Sequence, residues 1–425
     1  MGKTIDLSPS DEQQKALLAG LYLTGQRDEA GRPVTREAYD RQMLELEDLA
    51  KACGLRVVGI CIQSASEITQ KTFLGSGKVD EIRLMIEETD ADIVLFNESL
   101  SPMQVRNLEK AWDTEVLDRT GIILQIFSRR ARTREARLQV ECARLKYMLP
   151  RLAGLRVGPS RQGGGSGRLS NKGAGEEQLE LDRRHIEHRI AELERQLKGV
   201  SRERAAQRSQ RLSESICRVA LVGYTNAGKS TLMNALLSRS APSSRKKGSR
   251  SAAPGGREVF TEDMVFATLD TTVRRIQIWP HAAFLLSDTV GFISQLPHEL
   301  VSAFRSTLEE AALADLLLLV ADCSDPDYPH QLEVAARTLK EIGAGEIPVI
   351  TVLNKADLAE QDEYESAVPR DWPCIRRDPV NGDRIYLSAK KKEGLDDLLL
   401  LLDPYIGTKV PSYAEYNDAS EPPQP

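Results

Sequence analysis

The stretch Arg218-Val-Ala-Leu-Val-Gly-Tyr-Thr-Asn-Ala-Gly-Lys-Ser-Thr231 is an apolar, strand-like run that breaks at a glycine and resumes as a helix-prone segment. It fits the phosphate-loop pattern, with Gly223, Gly228, Lys229 and Ser230 in the four fixed positions. In this pattern the glycines let backbone N–H groups close around a phosphate, the lysine reaches the phosphate oxygens, and the serine hydroxyl can bind Mg²⁺. A glycine-rich turn from strand to helix without a ligand is the alternative, and the segments downstream decide against it.

Four further motifs follow the phosphate loop in one order, each at the end of a predicted strand. They are Phe266-Ala-Thr-Leu-Asp270, Asp288-Thr-Val-Gly291, Asn354-Lys-Ala-Asp357 and Ser388-Ala-Lys390. The threonine of the first motif can join Ser230 on Mg²⁺, the aspartate of the second can hold the metal through water, and the N–H of Gly291 can meet the γ-phosphate. Five motifs in this order predict a nucleotide site at the carboxyl edge of a doubly wound sheet.

The base is predicted to be guanine. The carboxylate of Asp357 can accept hydrogen bonds from guanine N1–H and N2–H₂, a pair of donors that adenine does not offer, and a backbone N–H in Ser388-Ala-Lys390 can meet guanine O6. A site built to hydrogen-bond a group rejects an analogue that lacks it by about 10⁴-fold or more, because its polar groups are left unpaired. The sequence therefore predicts GTP and GDP as ligands.

The predicted site has three sets of residues. The catalytic set is Lys229, Thr268 and Gly291, and the Mg²⁺ ligands are Ser230 and Thr268. The nucleotide-binding set comprises Gly223, Tyr224, Thr225, Asn226, Ala227, Gly228, Lys229, Ser230, Thr231, Phe266, Ala267, Thr268, Leu269, Asp270, Asp288, Thr289, Val290, Gly291, Asn354, Lys355, Ala356, Asp357, Ser388, Ala389 and Lys390.

Bulk properties narrow the class of protein. A chain of 425 residues should form two or three domains, because a single core stops growing near roughly 250–300 residues. A net charge of −6 argues against wholesale polyanion binding, so any nucleic-acid contact must use local basic patches. Six widely spaced cysteines and the lack of an apolar run of roughly 20 residues predict reduced thiols, no membrane span and a cytoplasmic protein. We expect a monomer, although no pattern in the sequence addresses oligomeric state.

Four regions are predicted along the chain. Residues 1–132 form an N-terminal α/β domain, 133–214 a helical hairpin with a basic, glycine-rich tip, 215–408 a P-loop GTPase domain with a mostly parallel sheet, and 409–425 a disordered acidic tail. In the hairpin, apolar residues recur three and four positions apart, which predicts two antiparallel helices, and Pro150 is expected to kink or end the first of them. The two apolar series are Leu138, Cys142, Leu145, Leu149 and Leu152, and then Leu179, Ile186, Ile190, Leu193, Leu197 and Val200.

The hairpin tip is the candidate RNA contact. It carries Arg156, Arg161, Arg168 and Lys172 and no acidic residue between positions 154 and 175. A merely soluble loop is one interpretation. We favour RNA contact, because uncompensated cations on a glycine-rich backbone can follow irregular phosphates closely.

Two other segments leave alternatives open. Gly75-Ser-Gly-Lys78 precedes a predicted helix and could receive a phosphate, but it lacks the second half of a phosphate-loop signature, so a strand-to-helix turn is favoured. The basic, low-complexity segment 240–257 is either a spacer or an added RNA-touching arm.

Several stretches outside the five motifs carry a resemblance to a known family. They are Asp288–Glu310, Leu100–Glu109, Asp118-Arg-Thr-Gly121, Arg130–Glu135, Leu149-Pro-Arg-Leu152 and Ser160–Gly165. With them the chain, from about residue 40 to 405, resembles the HflX family of ribosome-associated GTPases. The resemblance implies a Mg²⁺-dependent GTP hydrolase that binds the large ribosomal subunit and its rRNA and splits or rescues idle or stalled ribosomes. The alternative is a GTP-dependent regulatory switch or assembly factor that binds RNA without mechanical work.

The chain departs from that family pattern at two places, and from many switch GTPases at a third. Thr271 stands where the family has a proline, and Gly173-Ala-Gly-Glu-Glu-Gln178 replaces Gly-Pro-Gly-Glu-Thr-Gln. Phe292 stands where many switch GTPases place a glutamine that orients the attacking water. We therefore expect slow intrinsic hydrolysis that depends on an external group, which the resemblance implies is the large ribosomal subunit.

Overall fold

The computed structural model describes residues 13–27, 31–153, 180–200, 216–240, 265–266, 271–293, 310–359, 372–376 and 382–407. The chain divides into two compact units, Met1–Val200 and Ser201–Pro425. Within the described ranges, no helix combines the length and apolar character that a membrane crossing requires. All six cysteines are free thiols.

The N-terminal unit is an α/β layer followed by two long helices. Its four strands are all parallel, in the order β2-β1-β3-β4. The elements in chain order are β1 Lys15–Leu23, α1 Arg36–Ala52, β2 Arg56–Ala65, α2 Ser76–Thr89, β3 Ile93–Phe96, α3 Pro102–Trp112, β4 Glu115–Asp118, α4 Arg119–Arg130, α5 Arg134–Ala153 and a helix, α6, at 180–200.

Local sequence explains where the helices of this layer begin. The hydroxyl of Thr35 caps α1, and a reciprocal capping box between Ser101 and Gln104 opens α3. The run Leu55–Ile62 predicts a buried strand, but β2 is half-exposed and extends to Ala65, because it lies at the edge of the sheet. Helix α4 was not anticipated, although its apolar residues are almost completely buried.

The two long helices pack through seven residues of the predicted apolar series, and Leu179 of that series lies outside the described residues. Leu138, Cys142 and Leu193 form the buried centre of their contact, and Leu145, Ile190, Leu197 and Val200 pack against it. Two ion pairs join the helices, Lys146 with Glu194 at 2.7 Å and Arg189 with Glu141 at 2.8 Å. Helix α5 continues through Pro150 and ends at Ala153. The helical hairpin of the predicted fold is confirmed.

A buried carboxylate at the carboxyl end of β4 ties α5 to the sheet. Asp118, only 2% exposed, accepts the backbone N–H groups of Leu100 and Gly121 at 3.2 and 2.9 Å. From α5 it also accepts the Tyr147 hydroxyl at 2.6 Å and Arg151 Nη2 at 2.9 Å. The Arg151 guanidinium lies 3.9 Å from the centre of the Tyr147 ring, so the two α5 side chains support each other.

The second unit is the predicted P-loop GTPase fold. Its sheet has the order β10-β11-β9-β8-β5-β7-β6, and only the edge strands β6 and β10 are antiparallel to their neighbours. The elements are β5 Cys217–Gly223, α7 Lys229–Arg239, β6 Thr272–Ile276, β7 Phe284–Asp288, β8 Leu316–Asp322, α8 Tyr328–Glu341, β9 Val349–Asn354, β10 Cys374–Arg376, β11 Arg384–Tyr386 and α9 Leu395–Ile406.

One strand of this sheet lies earlier in the chain than the sequence suggested. The strand-like segment Arg275–Trp279 predicts a strand over those residues, but β6 covers Thr272–Ile276, and Ile276 pairs with Phe284. Trp279 is 62% exposed in the turn before Pro280, because the chain has to reverse there to enter β7. Apolar character alone therefore misplaced the strand by three residues.

We predict that Asp118→Ala destabilises the N-terminal unit by about 3–5 kcal/mol, because it leaves the Arg151 charge and three further donors without their acceptor. Hydrogen exchange of the amides in β3 and α4 measures this unit separately from the other. The matched control is Asp80→Ala, the same substitution at an exposed position of α2. Equal protection in the two variants would show that Asp118 does not hold α5 in place.

Candidate nucleotide site

The phosphate loop depends on two glycines in left-handed backbone conformations. Gly223 has φ 142°, and a Cβ there would collide with the carbonyl oxygen of Val320 on the neighbouring strand. Gly228 has φ 88° and would drive a Cβ into the side-chain amide of Asn354. Helix α7 begins immediately afterwards, at Lys229. These conformations direct the N-terminal end of α7, with the N–H groups of its first turn, toward the loop, which is the arrangement that binds phosphate.

The lysine of the loop is buried and held by its own backbone. Lys229 is 7% exposed, and its Nζ donates to the carbonyl oxygens of Gly223 at 3.1 Å and Tyr224 at 2.7 Å. Burial lowers the pKa of Lys229 to about 8, and the nearby Asp288 opposes that shift. An ammonium has three donors, so two carbonyl contacts position it and leave capacity for a phosphate oxygen.

Two oxygen groups that can act as Mg²⁺ ligands meet at the start of α7. The hydroxyl of Ser230 donates to Asp288 Oδ2 at 2.6 Å, and Asp288 is fully buried at the end of β7. Hydroxyl and carboxylate oxygens are the ligands that Mg²⁺ accepts, directly or through water, beside nucleotide phosphates. The chemistry of this donor pair therefore fits a magnesium ion.

The segment after Asp288 lies against the phosphate loop. A Cβ at Gly291 would come within 2.8 Å of Thr225 Cα and 2.9 Å of Lys229 Nζ. The next residue pairs with the loop through its backbone: Phe292 N–H donates to Gly223 O at 2.9 Å, and Thr225 N–H donates to Phe292 O at 2.8 Å. The Phe292 side chain is 3% exposed, in an apolar cluster with Tyr224 and Val222. Gly291 is thus beside the phosphate position, while the Phe292 ring belongs to the core.

Asn354 connects the phosphate loop with the two loops predicted to hold guanine. Its Nδ2 donates to Ala227 O at 2.9 Å, and its Oδ1 accepts Ala389 N–H at 2.9 Å. The side chain is 2% exposed, so both hydrogen bonds are shielded from water. Three loops from separate parts of the sequence are therefore fixed to one amide.

The predicted guanine-binding carboxylate is buried beside a cation. The Asp357 side chain is 6% exposed, and Lys391 Nζ lies 3.6 Å from its Oδ2. Lys355 pairs with Asp322 at 2.7 Å, at the carboxyl end of β8. The Cys323 thiol lies next to Asp322 in the chain, and its Sγ donates to Asn354 O at 3.0 Å. Burial raises the pKa of Cys323 to about 12.

The structure therefore brings together the phosphate loop, Asp288–Gly291, Asn354–Asp357 and Ser388–Lys390. Phe266 is buried, with φ 56°. The predicted residues Ala267, Thr268, Leu269 and Asp270 lie outside the described residues, and so do Arg156, Arg161, Arg168 and Lys172 at the hairpin tip.

Sequence reasoning missed three residues of this site, namely Asp322, Cys323 and Lys391. Asp322 could have been found, because it ends a strongly apolar strand whose carboxyl end must meet that of β9. Lys391 carried no signal, since it is the first of two lysines that directly follow the motif Ser388-Ala-Lys390.

The turn Gly75-Ser-Gly-Lys78 is occupied by its own neighbours. Gly75 N–H donates to Gln63 Oε1 at 3.0 Å, and Lys78 pairs with Glu81 at 2.7 Å. The Gly75 N–H and the Lys78 ammonium are thus engaged within the protein, which agrees with the interpretation as a strand-to-helix turn.

Three family models match consecutive parts of the chain. A GTP-binding GTPase N-terminal model covers residues 40–128, a GTP-binding GTPase middle-region model covers 130–211, and a model described as a 50S ribosome-binding GTPase covers 218–355. Together they follow the order of the N-terminal layer, the helical hairpin and the nucleotide unit.

Among solved structures, a complex of SsGBP with GDP is similar at 23% identity, with a TM-score of 0.48, over 91% of this chain and 96% of that chain. Sequence relatives are more similar. A GTPase HflX of Caldanaerobacter subterraneus is 44% identical over 84% of this chain and 74% of its own length. The GTPase HflX of Escherichia coli is 37% identical over 94% of this chain and 84% of its own. The chain therefore belongs to the HflX family of GTPases, and it is a GTP-binding GTP hydrolase.

Proposed function

We propose that guanine nucleotides bind across the loops described above, with Asp357 accepting guanine N1–H and N2–H₂ and Lys229 contacting the β- and γ-phosphates. Mg²⁺ would be held by Ser230 and Thr268 directly and by Asp288 through water. When bound, the ion would neutralise charge that develops on the phosphates. The support is that Lys229, Ser230, Asp288 and Asp357 lie at one sheet edge, with the Ser230 hydroxyl and the Asp288 carboxylate 2.6 Å apart.

We further propose that the large ribosomal subunit stimulates hydrolysis. The observation that carries this step is the position of Phe292, whose ring is buried in the core while its backbone pairs with the phosphate loop. A phenylalanine held in this way cannot orient an attacking water. Groups that complete a GTPase site raise the rate of GTP hydrolysis by several orders of magnitude. The match of residues 218–355 to a family model described as ribosome-binding supports the large subunit as the stimulating partner.

In the proposed cycle the protein acts as a cytoplasmic monomer that binds the large subunit with GTP and splits or rescues idle or stalled ribosomes. The basic hairpin tip is its proposed contact with rRNA. The deciding experiment adds the protein with GTP to intact ribosomes and separates the products on a sucrose gradient. Free subunits support this function. Binding that leaves the ribosomes intact would point instead to a regulatory switch or assembly factor.

We expect Asp357→Asn to move nucleotide preference from guanosine to xanthosine triphosphate. An amide can donate to the extra carbonyl of xanthine, whereas it no longer accepts both guanine donors. Titration calorimetry with both nucleotides measures the change, with Asp397→Asn in α9 as the control. Unchanged GTP affinity in Asp357→Asn would refute the assignment of the base.

Ser230→Ala should weaken Mg²⁺-dependent nucleotide binding and remove most turnover, because the metal loses a protein oxygen. The measurement is GTP turnover over a range of Mg²⁺ concentrations. Ser238→Ala is the matched control, since it makes the same change on an exposed part of the same helix. Turnover within twofold of the parent at saturating Mg²⁺ would mean that Ser230 is not a metal ligand.

Neutralising the hairpin tip should remove most of the stimulation of GTP turnover by large subunits and leave the basal rate of turnover intact. The variant replaces four residues with glutamine, namely Arg156, Arg161, Arg168 and Lys172. Binding by the parent should weaken steeply with salt, and the log–log slope should shrink by roughly one for each RNA phosphate that the variant no longer touches. Turnover is measured with and without large subunits at several salt concentrations.

The control for this variant has the same composition and change in charge. It removes three arginines and one lysine from α6 by replacing Arg183, Arg184, Arg195 and Lys198 with glutamine. These arginines pair with glutamates of their own helix. If both quadruple variants are stimulated as strongly as the parent, the hairpin tip is a soluble loop, and the RNA contact should be sought first in segment 240–257.

A further inference from the structure

Lys391 lies beside the guanine-recognition carboxylate without belonging to any of the five motifs. Its Nζ is 3.6 Å from Asp357 Oδ2, and the side chain is 54% exposed, whereas that of Asp357 is 6% exposed. A carboxylate withdrawn from water to this degree is costly unless a cation or hydrogen-bond donors compensate its charge. Lys391 provides such a cation.

The backbone around Lys391 holds it at this position. Ser388 and Glu393 exchange two backbone hydrogen bonds of 3.1 Å, which closes the loop between them. Within that loop Lys391 N–H donates to Ser388 Oγ at 3.2 Å. Because Ala389 is also bonded to Asn354, the loop that presents Lys391 is fixed to the strand end that leads into Asp357. The ion pair therefore links two ordered loops, although the lysine head itself remains accessible to water.

Guanine and Lys391 require the same oxygens. In the proposed nucleotide complex, on which this inference rests, N1–H and N2–H₂ of guanine occupy both carboxylate oxygens of Asp357. These donors are neutral, and they need the close, in-plane positions that a hydrogen bond demands. A base donor on Oδ2 competes with the ammonium for that oxygen and weakens the ion pair, and the exposed side chain of Lys391 allows the ammonium to swing into solvent.

We propose that Lys391 is a resident counter-ion that takes the place of the guanine donors on Asp357 and is displaced by the base. It stabilises the empty site more than the filled one, so it lowers the affinity for guanine nucleotides and accelerates their release. Lys391 thus modulates the affinity for guanine nucleotides without itself forming a hydrogen bond to the base.

The test compares Lys391→Met with Lys392→Met. Both variants lose one charge from the same loop, but Lys392 Nζ donates to Ser238 Oγ at 3.0 Å instead of approaching Asp357. Without the competing ammonium, Lys391→Met should bind GDP more tightly than the parent and release it more slowly. Because an ion pair with an exposed lysine contributes little free energy, the expected change in affinity is only about two- to fivefold. Titration calorimetry and stopped-flow release of ribose-labelled GDP measure the two effects.

Salt and a double variant make the test specific. The difference between Lys391→Met and the parent should shrink as salt approaches 1 M, because screening weakens the ion pair in the parent. In an Asp357→Asn background, measured with xanthosine diphosphate, adding Lys391→Met should change the affinity little, since the lysine has lost its charged partner.

Three results would overturn the proposal: unchanged or weaker GDP binding by Lys391→Met, the same tightening in Lys392→Met, or a full effect that persists in the Asp357→Asn background. The base assignment is tested separately by Asp357→Asn alone. If that variant changes its preference to xanthine while Lys391→Met binds like the parent, the proposed site stands and only the counter-ion role fails.

Discussion

The buried amide of Asn354 is the constraint on which the nucleotide site depends. It donates to the phosphate loop and accepts from the loop after β11, while its own backbone ends β9. Loops of this kind have little apolar surface to order them, so their relative positions rest on a few shielded hydrogen bonds. The amide also explains why position 228 must be glycine, since a Cβ there would collide with it. The relative positions of the phosphate loop and of the loop after β11 are therefore set by one side chain.

The N-terminal unit uses a buried polar side chain in the same way. Asp118 ends a parallel strand, caps the following helix and receives two side chains from α5. Beside it, the fully buried Arg119 donates to Asn97 at 2.9 Å and pairs with Glu45 of α1. Removing one partner of such an ion pair destabilises the protein by more than the pair's net contribution to stability, because the other charge is left buried and unpaired. The carboxyl edge of this smaller sheet is thus organised by charge pairs, while apolar contacts fill the layer below.

The features that sequence predicted well are those that depend on local spacing. Five motifs at strand ends identified the nucleotide unit, and a three-and-four repeat identified the residues that pack α5 against α6. What sequence missed depends on partners distant in the chain. Lys391 and Asp357 are brought together only when β9 and β11 pair, and Asp118 meets Tyr147 and Arg151 only once α5 has docked. The half-exposure of β2 likewise follows from its place at the sheet edge, which no property of the strand itself specifies.

The electrostatic environments of Lys229 and Asp357, at the two ends of the proposed site, differ. Lys229 is buried with its ammonium on two neutral carbonyls, and the desolvation that lowers its pKa is a cost that a phosphate anion would remove. At the other end of the site, the buried Asp357 carboxylate has a cation 3.6 Å away. A phosphate anion would therefore add a favourable charge beside Lys229, whereas the Asp357 carboxylate already has a cation from the protein itself. Nucleotide affinity should then arise mainly at the phosphates, and the base contacts should contribute selectivity for guanine more than binding strength.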